Sequence, residues 1–205
     1  MIIGIAGNIN SGKDTVASML NYMFAVGKNK ASFGDWMTKR LGYDNAYQHK
    51  IIHFADIIKL NLSNMFNLSL DVFNNRKFKD ELWYVLSTGK FIEEDKANKY
   101  NKITLENALE LDCSNPNQIV KIRTLIQIYA EHCKVMFGHS IWIKSTLIQS
   151  QYIEQAYKIC IIPDVRFNDE SKAIMNKNGI IIKLERPNNE IQSNHKSENN
   201  YIECN

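Results

Sequence analysis

The chain has 205 residues, of which 44% are hydrophobic and 23% are charged. These fractions are typical of a globular domain, and no apolar run is long enough to span a membrane, so a disordered chain and a membrane protein are excluded. The 25 basic and 22 acidic side chains leave a net charge of +3, which predicts no nucleic-acid partner. The four cysteines lack C-x-x-C spacing, and no export signal is apparent. We therefore expect neither a zinc site nor a redox pair, and a cytoplasmic location.

The first predicted element is a buried strand over residues 1–6, which leads into the sequence Gly7-x-x-x-x-Gly12-Lys13-Asp14. A helix with apolar spacing follows to about residue 26. This order of strand, glycine-rich turn and helix favours a P-loop, in which backbone N–H groups bind nucleotide phosphates and Lys13 reaches the β and γ oxygens. The alternative is a glycine-rich turn that binds no phosphate. The predicted cofactor-binding residues of the loop are Gly7, Asn10, Ser11, Gly12, Lys13, Asp14 and Thr15.

The residue after the loop lysine is unusual for a P-loop. Asp14 stands where a Ser or Thr normally ligates Mg²⁺, and Thr15 follows it. Asp14 would hold the ion directly or through water, whereas Thr15 would serve as a ligand or as a helix cap. Both residues are therefore candidate metal ligands.

A second short buried strand is predicted over residues 51–55, after a polar segment with a short helix near 36–41. Asp56 is placed to cap the next helix, which runs to about residue 66. Lys59 lies one turn into this helix and is either a ligand for a substrate phosphate or a solvated surface lysine. Phe54, at the end of the strand, is assigned to the same substrate site.

The region of about 66–120 is charged and has no clear periodicity. It contains mixed-sign runs at 76–81 and 93–96, which indicate a solvated surface or a mobile segment that covers a substrate. We expect a mainly helical substrate-binding or lid region inserted into a single kinase domain. A helix is then predicted over 118–137, and Arg123 and Gln127 share one of its faces. The arginine would suit a phosphate and the amide the edge of a base. The alternative is that both residues are plain helix surface.

A third strand is predicted over 158–162, with Asp164 and Arg166 at its carboxyl end. Asp164 would orient Mg²⁺ or its waters, and Arg166 would bind a phosphate through its guanidinium fork. The alternative is that Asp164 caps the following helix and that Arg166 pairs with Asp169 or Glu170. A fourth strand at 180–184 precedes Arg186.

Strands that alternate with helices predict an α/β fold with a central parallel sheet between helical layers. Ligands of such sheets bind beyond the carboxyl ends of the strands. Gly7, Ala55, Asp164 and Arg186 all follow predicted strands. We therefore expect one active cleft at this edge.

Five motifs occur in an order that resembles the bacteriophage-type deoxynucleoside monophosphate kinases. They are the G-x-x-x-S-G-K-D-T loop, F-A-D-x-x-K at 54–59, R-x-L-I-Q at 123–127, D-V-R-F-x-x-E at 164–170 and H-x-S-E at 195–198. The resemblance runs from residue 1 to about residue 198 and implies a P-loop three-layer α/β/α fold. It also implies transfer of the γ-phosphoryl group of ATP to a deoxynucleoside monophosphate, with Mg²⁺ as cofactor.

The resemblance assigns roles to single residues. Lys13 would hold the phosphates of ATP, and Arg186 would lie near the adenine. Arg123 and Arg166 would bind the acceptor phosphate or the transferring group, and Gln127 would approach the acceptor base. Glu170 of the D-V-R-F-x-x-E motif is assigned to the substrate site.

The chain departs from the family pattern at Ala130-Glu131-His132-Cys133-Lys134, where family members tend to have Gly-Thr-Glu followed by an arginine. The cation that clamps the phosphate would then be Lys134 or Arg76. The partners implied are ATP and a deoxynucleoside monophosphate, with a homodimer by family analogy, in the host-cell cytoplasm if the chain is viral. The alternatives are a P-loop kinase of the phosphomevalonate or dephospho-coenzyme A type and a nucleotide-binding protein without transfer activity.

Overall fold

The computed structural model describes residues 1–8, 11–26, 32–35 and 50–185. The predicted helix near 36–41 and the residues Asn10, Arg186 and His195–Glu198 lie outside these ranges. The strands are β1 (Ile2–Gly7), β2 (Trp83–Val85), β3 (Lys90–Ile92), β4 (Asn101–Ile103), β5 (Gln118–Val120), β6 (Cys160–Val165) and β7 (Ile180–Leu184). The helices are α1 (Lys13–Val26), α2 (Asp56–Phe66), α3 (Leu70–Asn74), α4 (Glu94–Ala97), α5 (Ile122–Phe137), α6 (Ile141–Tyr157) and α7 (Asn168–Met175), with a π-helical turn at Lys77–Glu81 and a 3₁₀ turn at Ala108–Glu110.

The chain divides into two compact units. The first comprises Met1–Phe54 and Ile143–Asn205, and the second comprises Ala55–Trp142. The expectation of one kinase domain with an insertion at about 66–120 stays a prediction. Among the described residues, no helix combines the length and the apolar character needed to cross a bilayer.

The first unit is built on a parallel sheet with the strand order β6-β1-β7. Successive residues of a strand point to opposite faces, so β1 contributes to two hydrophobic clusters. Ile3 and Ile5 pack in one cluster with Ala17 of α1. Ile2 packs in the other with Leu147 of α6 and Ile174 of α7. The predicted α/β class with a parallel sheet is confirmed, whereas the complete three-layer P-loop fold stays a prediction.

Gly4 allows α7 and the strands to approach closely. A Cβ atom at this position would lie 2.6 Å from Ile181 Cδ1 and 2.9 Å from Ile174 Cδ1. Real Cβ atoms do not approach other heavy atoms so closely, and cores resist such overpacking. The glycine in the middle of β1 therefore follows from the packing of the sheet rather than from a turn.

Several predicted boundaries of the first unit agree with the structure, and two do not. The helix from Lys13 and the strand at 180–184 match α1 and β7. The predicted strand over 51–55 is wrong, because only an isolated parallel bridge joins Ile51 to Ile161. The strand predicted to end at Ile162 continues as β6 to Val165, with an irregular register after Ile162. Proline lacks a backbone donor and is tolerated in a strand where the pairing is irregular. Pro163 lies at this irregularity, so the strand continues past it instead of ending there.

The second unit contains a four-stranded sheet with the order β3-β2-β5-β4. β2 is antiparallel to β3 and β5, whereas β4 is parallel to β5. The expectation of a mainly helical region was therefore wrong for this part, and residues 118–120 form β5 instead of the start of a helix. Each of these strands has only three residues, too few for an alternating pattern to appear in the sequence.

Three helices of the second unit, α2, α3 and α5, share a hydrophobic core. Leu62 of α2, Phe73 of α3 and Leu125 of α5 are buried in it together with Val120 of β5. α2 matches its predicted span, but Ala55 and not Asp56 is the N-cap residue, and no side chain caps this helix. Asp56 is instead the first helical residue, where its negative charge is favourable to the helix dipole.

The charged run at 93–96 has a structural role. Trp83 Nε1 donates a hydrogen bond to Glu94 Oε2 at 2.5 Å, and Lys102 Nζ donates to Glu94 Oε1 at 2.5 Å. The ammonium groups of Lys102 and Lys121 each lie 5.0 Å from the centroid of the Trp83 ring. Glu94 is thus part of a polar network over a buried tryptophan, in agreement with the solvated-surface interpretation of this run.

We expect Phe73→Ala to lower the free energy of unfolding by about 3–5 kcal/mol, as for large-to-small changes in other cores. Phe73 is 0% exposed, so the substitution leaves a cavity among α2, α3 and α5. Urea denaturation would measure the change. Leu109→Ala is the matched control, because Leu109 is 92% exposed. An equal loss in the two variants would contradict the assignment of this core.

Candidate functional site

The described residues of the loop between β1 and α1 include two glycines in unusual backbone conformations. Gly7 has a φ of +155° and Gly12 a φ of +91°, which are conformations that favour glycine. A Cβ atom on Gly7 would lie 2.7 Å from both Leu184 O and Ser11 Oγ. The two glycines of the predicted motif are therefore required by the path of the chain.

The side chains of the loop fit a phosphate ligand. Lys13 Nζ donates hydrogen bonds to Gly7 O at 2.7 Å and to Asn8 O at 2.6 Å, so its ammonium group lies against the loop. The Ser11 hydroxyl is buried and has no hydrogen-bond partner among the described residues. A buried polar atom without a partner costs free energy unless a ligand or water satisfies it. The loop therefore offers a cation and an unused hydroxyl at the N-terminus of α1.

Asp14 and Thr15 lie in the first turn of α1, and both are exposed. Their side chains offer a carboxylate and a hydroxyl, which are ligands of the kind that Mg²⁺ uses together with nucleotide phosphates. No cluster of three or more His, Cys, Asp or Glu side chains suited to a metal occurs in the described part of the chain. The donor set fits an ion held partly by a substrate and does not fit a metal caged by protein ligands alone.

Asp164 lies in β6, one residue before the strand ends, and β6 is the neighbour of β1. Since parallel strands end at the same edge of a sheet, Asp164 belongs to the edge that carries the loop between β1 and α1. Its carboxylate accepts the backbone N–H of Phe54, at 3.1 Å for Oδ2 and 3.3 Å for Oδ1. Asp164 does not cap α7, because Phe167 is the N-cap residue.

Glu170 shapes the loop that carries Arg166. Its Oε2 atom accepts the backbone N–H of Arg166 at 2.7 Å and of Phe167 at 3.0 Å. Glu170 is buried, whereas the Arg166 side chain is exposed and makes no ion pair among the described residues. The alternative in which Arg166 pairs with Asp169 or Glu170 is therefore not observed. The predicted contact between Glu170 and a substrate stays a prediction.

The Glu170 carboxyl titrates near neutrality. Burial raises its pKa to about 7, the two backbone N–H groups oppose this rise, and the charge of Asp164 adds to it. A raised pKa means that the folded protein holds this proton more tightly than the unfolded chain. The contribution of Glu170 to stability is therefore fully present below the ordinary pKa of 4.5 and is lost as the pH rises through 7.

We expect the free energy of unfolding of the wild type, relative to that of Glu170→Gln, to fall between pH 5 and pH 8. The fall should reach up to about 3 kcal/mol, because one pKa unit corresponds to about 1.4 kcal/mol. Urea denaturation at a series of pH values would measure it, and the glutamine variant, which does not titrate here, is the reference. A difference that does not change with pH would contradict the raised pKa.

Phe54 was assigned to the substrate site. Its ring is buried in a hydrophobic cluster of the first unit together with Ile52 and Leu147. Its backbone N–H, as described above, is bound by Asp164. The structure thus gives Phe54 a packing role and a backbone role, and its contact with a substrate stays a prediction.

In the second unit Arg123 forms a two-point ion pair that the sequence did not reveal. Nε lies 2.6 Å from Asp80 Oδ1, and Nη2 lies 3.0 Å from Asp80 Oδ2. The guanidinium lowers the pKa of Asp80 through this hydrogen bond, against the opposing effect of burial. Asp80 and Arg123 are 43 residues apart in the chain, so no local pattern could have paired them.

Further cations surround this pair. Burial lowers the pKa of Lys79, and Arg123, Lys59 and Arg76 lower it further. Lys59 Nζ also donates to Asn74 Oδ1 at 3.0 Å and lies 3.5 Å from Asp56 Oδ1. We call the four basic residues the cation cluster: Lys59, Arg76, Lys79 and Arg123.

Among the predicted phosphate ligands, Lys59, Arg76 and Arg123 each lower the pKa of Lys79, so all three act electrostatically on this lysine. Their contact with a phosphate stays a prediction. The signal for Lys79 was present in the charged run at 76–81, which indicated only a solvated surface or a mobile segment. Lys134 is not part of this cluster. It lies 11 residues after Arg123 on α5, about 16 Å along the helix axis, and its ammonium binds Glu131 Oε1 at 2.7 Å.

Gln127 lies one helical turn after Arg123 on α5 and is half-buried. It makes no hydrogen bond to any described residue through its side chain. Residues four apart on a helix share a face, so its amide lies on the same side as the Arg123 guanidinium. Its predicted contact with a base stays a prediction.

The comparisons with known proteins add a family. The family model described as deoxynucleotide monophosphate kinase matches residues 1–202, nearly the whole chain. No curated protein matches the sequence. The match agrees with the resemblance inferred from the five motifs and implies a phosphotransferase that acts on small nucleotides. The chain therefore belongs to the deoxynucleotide monophosphate kinase family.

Proposed function

We propose that the protein transfers the γ-phosphoryl group of ATP to the 5′-phosphate of a deoxynucleoside monophosphate, producing ADP and a deoxynucleoside diphosphate. The observation that carries this proposal is the loop from Gly7 to Lys13. It has two glycines at positive φ, a lysine against the loop and a buried hydroxyl that no described residue bonds. The cation cluster supplies a second set of groups suited to a phosphate. A reaction between two phosphates requires two such places.

The phosphate loop would bind the donor. In this proposal the loop N–H groups and Lys13 bind the β- and γ-phosphates, with Ser11 and Asn10 completing the cradle. Asp14 and Thr15 would hold Mg²⁺, which when bound neutralises part of the phosphate charge. Asp164 would orient that ion through its waters, and Arg186 would contact the adenine.

The cation cluster would bind the acceptor. Arg123, Arg76 and Lys59 would neutralise the acceptor phosphate, and Gln127 would contact its base. Arg166, which is exposed and makes no ion pair among the described residues, is suited to charge that develops on the transferring group. The position of Lys134, away from the cluster and paired with Glu131, supports Arg76 as the clamping cation.

The chemistry needs little beyond positioning and charge neutralisation. The second pKa of a phosphate monoester is about 6, so the acceptor is largely dianionic at neutral pH and needs no general base. The oxygens that attack and leave must lie in line, and cations must offset the spread of negative charge in the transition state. Lys13, Arg123 and Arg166 are the side chains that we assign to this task.

An acceptor panel tests the proposal. ADP release would be followed with the four deoxynucleoside monophosphates, their ribose counterparts, phosphomevalonate and dephospho-coenzyme A. We expect turnover with at least one deoxynucleotide and none with the last two compounds. A preference for phosphomevalonate or dephospho-coenzyme A would show a kinase of another type. ATP binding without turnover on any acceptor would show a nucleotide-binding protein.

The assembly and the location follow from the family only by analogy. We propose a homodimer that acts in the cytoplasm on small molecules. Light scattering coupled to size-exclusion chromatography would measure the assembly, and the mass of a single 23.7 kDa chain would contradict the dimer.

A further inference from the structure

The π-helical turn Lys77–Glu81 lies between α3 and β2 and presents Asp80 to α5. The turn is closed by a hydrogen bond of 3.0 Å from Leu82 N to Lys77 O, and it begins with one of 3.0 Å from Lys79 N to Asn75 O. Phe78 packs edge to face on Phe91 of β3, with ring centroids 5.1 Å apart. Single π-helical turns are rare and frequently occur at functional sites. This turn is therefore fixed both to α3 and to the sheet.

Asp80 uses only one edge of the Arg123 guanidinium. The carboxylate accepts the Nε hydrogen and one Nη2 hydrogen. A guanidinium has five N–H donors in a rigid plane, so three remain, on Nη1 and Nη2. No other ion pair or hydrogen bond of the Arg123 side chain occurs among the described residues. The opposite edge is thus available to a second anion without displacement of Asp80.

The side chains of Asp80 and Arg123 differ in exposure, and this difference indicates a different role for each. The side chain of Asp80 is 25% exposed, whereas that of Arg123 is 57% exposed. The carboxylate is the anchored group, on a turn held at both ends, and the guanidinium is the group that reaches solvent. An isolated exposed arginine would sample many rotamers, and a two-point contact removes most of that freedom.

The charges around the pair favour a dianion. The cation cluster contributes four positive charges, and Asp80 and Asp56 are the acidic groups paired with its members. A net charge of about +2 remains, which suits a phosphate monoester dianion. Burial and Arg123 lower the pKa of Lys79, Asp80 opposes this in part, and a further anion would raise the pKa again.

We propose that Asp80 is a positioning residue for the acceptor site: it holds Arg123 by the Nε edge so that the other edge binds the acceptor phosphate, with Lys79 of the same turn as an additional phosphate ligand. The inference rests on the proposed function, since it assigns the cation cluster to the acceptor. It adds two residues that the motifs did not indicate. In this proposal Asp80 keeps its contact with Arg123 while the phosphate binds. If Asp80 instead competed with the phosphate for Arg123, it would have to leave first.

Kinetics of Asp80→Asn test the proposal. The amide has only one oxygen, and its NH₂ group donates instead of accepting, so Arg123 loses one of the two contacts of its fork. We expect KM for the acceptor to rise about tenfold, as for the loss of one charge-assisted contact, with kcat changed less than about threefold and KM for ATP unchanged. Lys79→Met should raise the acceptor KM in the same direction. Thermal melts would establish that each variant is folded, and Asp80→Ala, with the same expected direction, would replace a variant that is not.

Glu81→Gln is the matched control. Glu81 belongs to the same turn, is exposed and has no ion pair among the described residues, so its substitution changes the net charge as Asp80→Asn does without touching Arg123. We expect it to leave the acceptor KM within about twofold. An equal rise in both variants would overturn the proposal. A lower KM in Asp80→Asn would also overturn it, because it would show that Asp80 competes with the acceptor.

Binding of inorganic phosphate separates this proposal from the proposed function. Calorimetry in a Lys13→Ala background, which disables the phosphate loop, would report the cation cluster whether or not any deoxynucleotide is a substrate. We expect Asp80→Asn and Arg123→Ala each to weaken phosphate binding, and the two together to weaken it no more than Arg123→Ala alone. Additive losses, no loss in Asp80→Asn or no phosphate binding by the parent would overturn the role of Asp80. Absence of turnover in the acceptor panel, with this pattern intact, would overturn only the proposed function.

Discussion

Lys13→Met is expected to lower kcat/KM for the phosphoryl transfer by about 10³-fold. Removal of a single group that stabilises developing charge in an enzyme costs about 10²- to 10³-fold, and a lysine that contacts the β- and γ-phosphates acts on both binding and transfer. Its ammonium already lies in the loop, bonded to Gly7 O and Asn8 O. Methionine keeps the length of the side chain and removes the charge. Steady-state rates of ADP release would measure the loss.

Lys90→Met is the control for Lys13→Met. Lys90 is exposed at the start of β3, in the second unit, and the substitution makes the same change in net charge. It should retain the wild-type rate within about twofold, since surface substitutions of this kind have small effects. Full activity of Lys13→Met would show that the loop does not bind the donor phosphates.

Arg123→Ala is expected to lower kcat/KM for the acceptor by about 10²-fold and to leave KM for ATP unchanged. The guanidinium belongs to the cation cluster, and a charge-assisted contact to a phosphate is worth more than a neutral hydrogen bond. The loss also leaves Asp80 without its partner, so a repulsive carboxylate would face the acceptor phosphate. Initial rates at varied acceptor and saturating ATP would measure it.

Lys134→Ala on the same helix is the matched control for Arg123→Ala. The sequence predicts Arg123 as a ligand of the acceptor phosphate and Lys134, or else Arg76, as an additional clamping cation. The structure pairs Lys134 with Glu131, three turns of α5 away from Arg123. We expect Lys134→Ala to change kcat/KM by less than about threefold. A larger loss in Lys134→Ala than in Arg123→Ala would place the acceptor phosphate at the other end of the helix.

The glycine-rich turn between β1 and α1 was predictable because its signal is local. Gly7, Gly12 and Lys13 stand at fixed spacing between an apolar strand and an amphipathic helix, and the structure has β1 and α1 at these places. The same holds for β7, which is apolar except for Lys183. Where a short stretch of sequence determines a conformation, the pattern of that stretch was sufficient to predict the element.

Contacts between distant segments were not predictable in this way. Asp80 is one carboxylate in a mixed-charge run, and nothing in the run indicates that it binds Arg123. In the sheet of the second unit, β2 and β5 pair across more than 30 residues, which local periodicity does not report. Residues 51–55 had the composition of a strand, but only one bridge to β6 forms there.

The role of Glu170 lies between these cases. A Glu three residues after an N-cap position is a known signal for a contact back to the backbone at the start of a helix. Here the N-cap residue is Phe167, which offers no hydroxyl, so the usual pattern with Ser or Thr was absent. The carboxylate nevertheless binds the N–H groups of Arg166 and Phe167. The position of Glu170 three residues after the N-cap thus indicates a contact with the backbone as well as the predicted contact with a substrate.

The most direct test of the central claim is the fate of the γ-phosphate. Purified protein would be incubated with Mg²⁺, ATP labelled in the γ-phosphate and each deoxynucleoside monophosphate, and the products would be separated by chromatography. The account predicts label in a deoxynucleoside diphosphate, in amounts equal to the ADP formed, and its loss in Lys13→Met. Label that remains in ATP or appears only in inorganic phosphate with every deoxynucleotide would contradict it.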